Sequence, residues 1–591
     1  MLDQYILYLV LVFILISLYF NLIGPAFTFV IAVVVLGISG ILTPREILGG
    51  FANEQIIIII ILLLIGDIIR KKGVLNVFFE KWIFNGSKSY PNFMARMTFM
   101  IAGSSAFLNN TPLVAVMMPY VSSWGKKHQI AASKLLIPLS YAAILGGTAT
   151  LIGTSTNLIV NGMVADQILF PNFKSLGIFD FAWVGIPMTI LGIIYLLIFA
   201  NKLLPNNEDS LEKVVSNRRE YLVDIRIAPD SEYVGKSVEK GSLRNLKSLF
   251  LVEVRRGEKQ FSPISPYFIL EGNDILTFAG NTQAIAELIE PESGLTPVEV
   301  GMFKNKAKTQ LIEIVISYNS NLLKKTVKDA HFRSRFDAAV IAIHRNGERL
   351  NGKLGQIILE AGDVLLLLAG EDFANLSNYT RDFYPLSTLR TYVKPKTIDA
   401  IVLIGGLISA IILSALNIIP LFMGVVGLLV IILALGIANP KDIQSGIDFD
   451  LGLIIALSLA LGTAMIKTGV AYDLAHGVIG LFRPFGTLGL LIGIYLVTAV
   501  LAAYITNKAA VALMFPIVLT IALAEGMSPT PFVLLIAYAA AANFITPIGY
   551  QTNLMVYGPG GYRFRDFMKI GLPLTILYMI GAVSILFWRY F

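Results

Sequence analysis

A segment near the start of this 591-residue chain returns near its end. Thr43-Pro44-Arg45-Glu46-Ile47 is matched 396 residues later by Asn439-Pro440-Lys441-Asp442-Ile443, Gly73-Val74 by Gly469-Val470, and Ile152-Gly153 by Ile548-Gly549. With a shift of 397, Phe107-Leu108-Asn109-Asn110-Thr111 falls on Tyr504-Ile505-Thr506-Asn507-Lys508, and Pro119 on Pro516. The chain is therefore one apolar unit written twice, with polar Gly, Asn and Thr segments recurring at matching places. Such a pattern predicts a secondary transporter that binds its substrate between the two copies, on broken helices.

Composition narrows the class. Hydrophobic residues make up 55% and charged residues 14%, too apolar for a soluble chain of this length, so lipid is the expected surrounding. The net charge of +7 calls for no nucleic acid, because cytoplasmic loops of membrane proteins carry excess Lys and Arg. With no cysteine, disulfides, Cys-ligated zinc and iron–sulfur clusters are excluded. The four histidines (His128, His331, His344, His476) show no metal-ligand spacing. Residues 5–38 exceed a cleavable signal core and read as two spans parted near Asn21–Pro25.

Residues 1–204 form the first membrane repeat, with spans near 5–20, 22–39, 53–70 and 182–200 and a broken span over 132–165. Residues 393–591 form the second, with spans near 398–417, 420–438, 451–468 and 571–588 and an interruption at 546–553. The apolar stretches 93–120 and 500–521 carry polar residues at their middles. Polar backbone at membrane depth survives only where protein or a cavity satisfies it, so both read as re-entrant hairpins, with 486–501 as the second one's leading arm. Five crossings per repeat invert the second copy. Arg70-Lys71-Lys72, Lys126-Lys127, Lys134, the central insert and Arg563-Arg565-Lys569 then share one side. The positive-inside rule makes that side cytoplasmic and puts both termini outside, in an inner or plasma membrane.

The centre is a different material. Tyr221–Ile227 and Leu311–Ile316 alternate as strands do, and Ile269-Leu-Glu-Gly-Asn-Asp274 is echoed by Ile358-Leu-Glu-Ala-Gly-Asp363. Two tandem α+β domains are expected, over 205–298 and 299–392. No Gly-x-Gly-x-x-Gly with a following acidic residue appears, so a dinucleotide is not supported.

On these residues the membrane part resembles the divalent anion–sodium symporter family of the ion transporter superfamily, over about 390 residues. That family sets a Ser-Asn-Thr motif at each hairpin tip, facing a Gly-Thr-rich helix break that ends in Asn. Here the first pair is Asn109-Asn110-Thr111 with Gly153-Thr154-Ser155-Thr156-Asn157, and the second is Thr506-Asn507-Lys508 with Gly549-Tyr550-Gln551-Thr552-Asn553. The resemblance implies a first sodium site on Ser105, Asn109, Asn110 and the Gly153 backbone, and a second on Asn507 and Gly549. It places the anion among Asn110, Thr111, Thr154, Ser155, Thr506, Asn507, Lys508, Gln551 and Thr552. The insert resembles two TrkA-C (RCK C-terminal) domains, which implies a homodimer regulated by a small ligand such as the nucleotide cyclic di-AMP. The implied fold class is an α-helical polytopic membrane protein of two inverted repeats, each with a re-entrant hairpin and a broken helix, plus a central cytoplasmic α+β insert.

The second copy departs from this pattern. Ala502 stands at the position equivalent to Ser105, and Lys508 replaces the family Thr. A buried ammonium is costly unless paired, so Lys508 is expected either to stand in for the second sodium or to pair with a dianion; snorkelling to the surface is the competing reading. Asp67 is expected to pair with Lys71 at i+4, Pro119 and Pro516 to end their hairpin arms, and Asp448 and Asp450 to cap a helix. Thr148, Thr150 and Thr546 either line the cavity or bond to their own helices. The expected activity is sodium-coupled symport, with no enzymatic step, of sulfate first and a C4-dicarboxylate second. The compact dianion is favoured because no arginine neighbours either tip in sequence. A gated cation channel lacks a carbonyl-filter sequence, and a sodium–proton exchanger lacks acidic residues at the breaks; a membrane anion sensor is the remaining rival.

Overall fold

In a computed structural model the described residues are 2–20, 22–74, 89–167, 169–170, 173, 175–207, 222–241, 243, 249–257, 259–261, 264–280, 295–297, 310–318, 320–345, 348–350, 354–370, 373, 380, 382–386, 397–416, 418–440, 443 and 449–591. Asp448, Lys441 and Asp442 lie outside them.

The first third is helical: α1 (Leu2–Tyr19), α2 (Pro25–Ile38), α3 (Pro44–Gly49), α4 (Glu54–Lys71), α5 (Tyr90–Ser105), α6 (Asn110–Lys127), α7 (Leu136–Gly147), α8 (Ser155–Asp166) and α9 (Ala182–Leu203). After the insert, whose described helices are α10 (Phe332–Phe336) and a 3-10 turn at Leu354–Gln356, the series resumes. A π turn, Ile401–Gly405, leads into α11 (Gly406–Ala415), followed by α12 (Leu421–Ala434), α13 (Phe449–Lys467), α14 (Val470–Phe482), α15 (Gly486–Tyr504), α16 (Asn507–Ala524), α17 (Pro529–Ala541), α18 (Gln551–Tyr557) and α19 (Phe564–Tyr590). Among the described residues six helical stretches are long and apolar enough to cross a membrane, or eight if two bent pairs each count as one span. Outward faces carry Leu9, Val12, Ile190, Ile194, Ile576 and Ile580, all exposed, as lipid contact requires.

Over the two stretches expected to form hairpins lie consecutive helices, α5 and α6 in the first and α15 and α16 in the second, parted at Ala106–Asn109 and Ile505–Thr506. The two expected breaks separate α7 from α8 and α17 from α18. One expectation fails. Pro119 and Pro516 lie inside α6 and α16, which continue to Lys127 and Ala524. A helical proline forfeits one backbone bond and kinks its helix without having to end it when packing holds both sides. Here Met117, Met118 and Val121, like Phe515, Ile517 and Val518, are buried.

The insert holds two five-stranded antiparallel sheets. The first has β1 (Leu222–Ile227), β2 (Leu249–Arg256), β3 (Lys259–Phe261), β4 (Ile275–Gly280) and β5 (Leu295–Pro297), in the order β3-β2-β4-β1-β5. The second has β6 (Gln310–Ile316), β7 (Ala338–Arg345), β8 (Glu348–Arg349), β9 (Val364–Ala369) and β10 (Phe383–Pro385), in the order β10-β6-β9-β7-β8, the same topology read from the other edge. The likeness reaches single bonds. Each second strand has a register shift, at Leu251/Glu253 and at Val340/Ala342. Each ends on an arginine that grips a buried aspartate: Arg256 Nε donates to Asp274 at 2.8 Å, and Arg345 Nε to Asp363 at 2.8 Å. The second nitrogen of each fork donates to the carbonyl of Ile269 or Ile358. Hydrogen bonding to Asp363 raises the Arg345 pKa further above its ordinary value.

Candidate functional site

The site is built where two hairpin tips and two helix breaks converge. Each returning hairpin arm starts with a side-chain cap. Asn109 accepts the Thr111 N–H at 3.3 Å, and Thr506 accepts the Ala509 N–H at 3.2 Å. Capping fixes where α6 and α16 begin, so that their partly positive N-termini lie at the tips.

The two breaks repeat one hydrogen-bond plan at a shift of 396. The Gly153 N–H donates to Thr150 Oγ1 at 3.2 Å, and the Gly549 N–H to Thr546 Oγ1 at 3.0 Å. Asn157 Nδ2 donates to the Thr150 carbonyl at 2.8 Å, and Asn553 Nδ2 to the Thr546 carbonyl at 3.2 Å. Thr150 Oγ1 also donates to the Ala106 carbonyl at the first tip, and Thr148 Oγ1 bonds to Leu145 of its own helix at 2.7 Å. Thr148, Thr150 and Thr546 thus serve the backbone. These bonds satisfy the polar groups that an interrupted helix exposes.

Around the first tip, oxygens crowd together. The hydrogen-bond partners turn the Asn110 amide so that its nitrogen lies 2.5 Å from Ser105 Oγ, 3.2 Å from the Gly153 carbonyl and 3.3 Å from the Ala143 carbonyl. Ser105 Oγ in turn donates to Ala143 at 2.7 Å. Gly153 must be glycine, since a Cβ there would lie 2.5 Å from the Gly147 carbonyl and 2.8 Å from that of Ser105. The Asn110 carbonyl accepts the Tyr550 hydroxyl at 2.7 Å, and Tyr550 lies 3.1 Å from Thr154 Oγ1. Thr111 Oγ1 donates to Gln551 at 3.0 Å. The first tip, packed against its own break, is thereby bonded to the break of the other repeat.

These elements enclose a cavity of about 240 Å³ lined by Asn109, Thr111, Ser155, Thr506, Asn507, Lys508, Gly549, Tyr550 and Gln551 among others. Ser105, Asn110, Gly153 and Thr154 sit in a buried layer behind this lining. Thr552 is buried and lies 2.8 Å from Ser140 Oγ, which is equally close to Asn553 Oδ1. Among the described residues Lys508, half-buried, has no ion-pair partner, and Asn507 Oδ1 is buried without a hydrogen bond. The second copy offers fewer oxygens: Ala502 is buried, and the Asn543 amide packs against Gly549 with its nitrogen unsatisfied.

Three parts of the site escaped the sequence reading. Tyr550 binds the first tip to both breaks; its alignment with Thr154 at the 396 shift was a signal that a hydroxyl belongs there. Ser140 carries no motif. Arg70 lines the cavity although it is distant from both tips in sequence, and its guanidinium is held by Asp67 at 2.7 Å. Asp67 also pairs with Lys71 at 3.1 Å, as expected.

A mostly helical, apolar chain whose broken helices and hairpins meet at a polar cavity is a multi-pass membrane transporter. The citrate transporter family model matches residues 9–424 and 408–591, and the chain belongs to that family. Its sequence is 35% identical over 564 residues to a Chlamydomonas reinhardtii protein named "Putative sulfur deprivation response regulator", covering 93% of this chain and 95% of that one. It is 33% identical to an uncharacterized transporter of Synechocystis (94% and 92% covered), and 26% identical to sodium/sulfate cotransporter 2 of Chlamydomonas reinhardtii (95% and 87%).

Proposed function

We propose that this chain couples inward sodium movement to uptake of a small divalent anion, sulfate first, with no chemical step. The observation that carries the reading is Lys508: an ammonium without an ion-pair partner among the described residues, lining a cavity beside two capped helix N-termini. A dianion supplies the missing charge, and Thr111, Ser155, Thr506, Asn507 and Gln551 supply hydrogen bonds around it. The names of the sodium/sulfate relatives point the same way.

Sodium is assigned to the place where the Asn110 nitrogen now meets three oxygens. A spot that holds a donor among Ser105, Ala143 and Gly153 oxygens holds a cation once the amide turns and offers its own oxygen. Asn157 Oδ1, buried and unbonded, is a further oxygen ligand nearby in sequence. Asn109, whose side chain caps α6, contributes through its backbone. At Asn507 and Gly549 the oxygen supply is thin, which favours Lys508 as the resident charge in place of a second ion.

The two repeats are inverted, with about five crossings each; the insert is cytoplasmic and both termini are outside. The insert domains are TrkA-C-like, pair in a homodimer, and bias transport by binding a ligand such as cyclic di-AMP. A carboxylate substrate is the second reading, favoured by the family's name and by Arg70 in the lining. Asp67 already occupies that guanidinium, so sulfate stays first.

The test is labelled sulfate uptake into proteoliposomes with and without an inward sodium gradient. Sodium-driven accumulation is expected. Succinate or citrate accumulation in its place would overturn the substrate, and binding without flux of any of these would make the protein a sensor.

A further inference from the structure

One wall of the cavity does not come from the membrane helices. Ser317, Tyr318, Thr380 and Tyr384, all of the second insert domain, line it together with Asn507, Lys508 and Tyr550. An apolar sheet face holds the domain there. Strand residues alternate sides, so Ile312, Ile314, Ile316, Leu365 and Leu367 fill the domain's own core, while Val315 and Val364 join the core of the membrane helices, with Leu386 beside them.

The seat is α18, the short helix that follows the second break. A Cβ on Gly558, just past its end, would lie 2.6 Å from the Gly362 carbonyl and 2.7 Å from Val364 Cγ2. A Cβ on Gly362, at φ +85°, would lie 3.2 Å from Leu554 Cδ1. Two glycines are what let the turn before β9 meet α18 this closely.

The first insert domain has the same fold and lacks this face. At a shift of 89 residues Val315 corresponds to Arg226, which is exposed, and Gly362 to Asn273. Duplication therefore produced two equal sheets, of which the second carries a docking surface. The contact also reaches the chemistry. Residue 550, immediately before α18, is the tyrosine that bonds Asn110, and Gln551, its first residue, bonds Thr111.

We propose that the second insert domain is the inner gate of the cavity, closed in this structure, and that an anion leaves on that side only when the domain lifts from α18. The proposal rests on the cavity being the transport path, and its test separates the two.

Because the chain has no cysteine, Ser155→Cys places a single thiol in the cavity lining. Its modification by a membrane-impermeant maleimide is timed in vesicles exposing the insert side, alone and combined with Val364→Asp or with Gly558→Leu. Both second changes break the seat, one from each partner, and each is expected to speed labelling several-fold. Equal rates in all three proteins overturn the gate. In a second arm Val364→Cys is combined with Leu554→Cys, which puts one thiol on each partner of the seat without adding a Cβ at either close-packed glycine, and the pair is joined by oxidation. Oxidation is expected to abolish sodium-driven sulfate uptake and a reductant to restore it; uptake indifferent to a cross-link verified on a gel overturns the gate. Faster labelling, with no anion flux in the protein that keeps Ser155, retains the gate and removes the transport reading.

Discussion

Replacing Lys508 by methionine keeps the length of the side chain and deletes its charge. In the proposed complex the ammonium donates to a dianion oxygen, and hydrogen bonds between charged groups contribute about 1.5–3 kcal/mol net. The bare attraction of one charge pair at 4 Å is about 4 kcal/mol at an effective dielectric of 20. Lys508 is half-buried, so lost hydration offsets part of that. A loss of about 2 kcal/mol is expected, equal to a rise of about 30-fold in the KM for sulfate. The assay is initial sulfate uptake into proteoliposomes at saturating sodium, with Lys508→Arg alongside to retain charge. A KM within twofold of the parent would refute the reasoning, because a snorkelling lysine predicts that result. The same residue governs coupling. If its ammonium replaces a second sodium, restoring the family pattern with Ala502→Ser and Lys508→Thr should raise the Hill slope for sodium from about one towards two.

Other positions give sharp expectations. Tyr550→Phe deletes the hydroxyl that holds the Asn110 carbonyl and would, on the proposed reading, compete with sodium for it; losing a bond of about 0.5–1.5 kcal/mol should tighten sodium binding by up to about tenfold, read from the sodium dependence of uptake. Ser105→Ala should weaken it, since it removes an oxygen from the same cluster. Ser140→Ala leaves the buried Asn553 carbonyl one donor short and should cost about 1–3 kcal/mol, measured as a lower Tm of the purified protein. Asp363→Ala leaves the Arg345 fork without its main partner. Since Arg345 is 24% exposed, the loss should fall near the low end of the roughly 3–5 kcal/mol known for broken buried pairs, and show as faster proteolysis within the insert.

The sequence carried the architecture because each repeat leaves marks that survive divergence: a Pro after a helix cap, a Gly where backbones touch, an Asn that closes a break. Thr150 and Thr546, or Asn157 and Asn553, could be paired by counting, and the structure gives each pair the same backbone partner. The echo of Glu271–Asp274 in Glu360–Asp363 likewise marked an arginine clamp whose donor, Arg256 or Arg345, lies 15 residues away from the glutamate and had no motif of its own. Contacts between copies left no such mark. Ser140 meets Asn553 across 413 residues, and Asn110 meets Tyr550 across 440; no spacing rule reaches that far. Arg70 shows the same limit, since a guanidinium far from the tips in sequence lines the cavity between them. The prolines failed differently: local propensity reads them as ends, and burial of the residues around them overrides it.

What distinguishes the two halves is the way each copy lost its symmetry. The first repeat keeps a serine, an amide and close carbonyls around Asn110, which on the proposed reading hold a cation that comes and goes. The second has an alanine where the serine was and a lysine where the threonine was, an environment with a permanent charge. The insert follows the same logic, with one sheet left with an exposed arginine and the other given valines and a glycine that fit α18. Both asymmetries meet at the cavity, which Lys508 lines from the second tip, where Tyr550 of the second break bonds the first tip and the first break and the second domain forms a wall. A site with a fixed charge needs one fewer ion to attract a dianion, so it needs another means of preventing uncoupled leakage; a wall that must lift before release is such a means. Hence the two proposals constrain each other. Restoring the serine and threonine should make sodium occupancy, rather than the domain alone, decide when the cavity opens, and the dependence of Ser155→Cys labelling on sodium should grow in that protein.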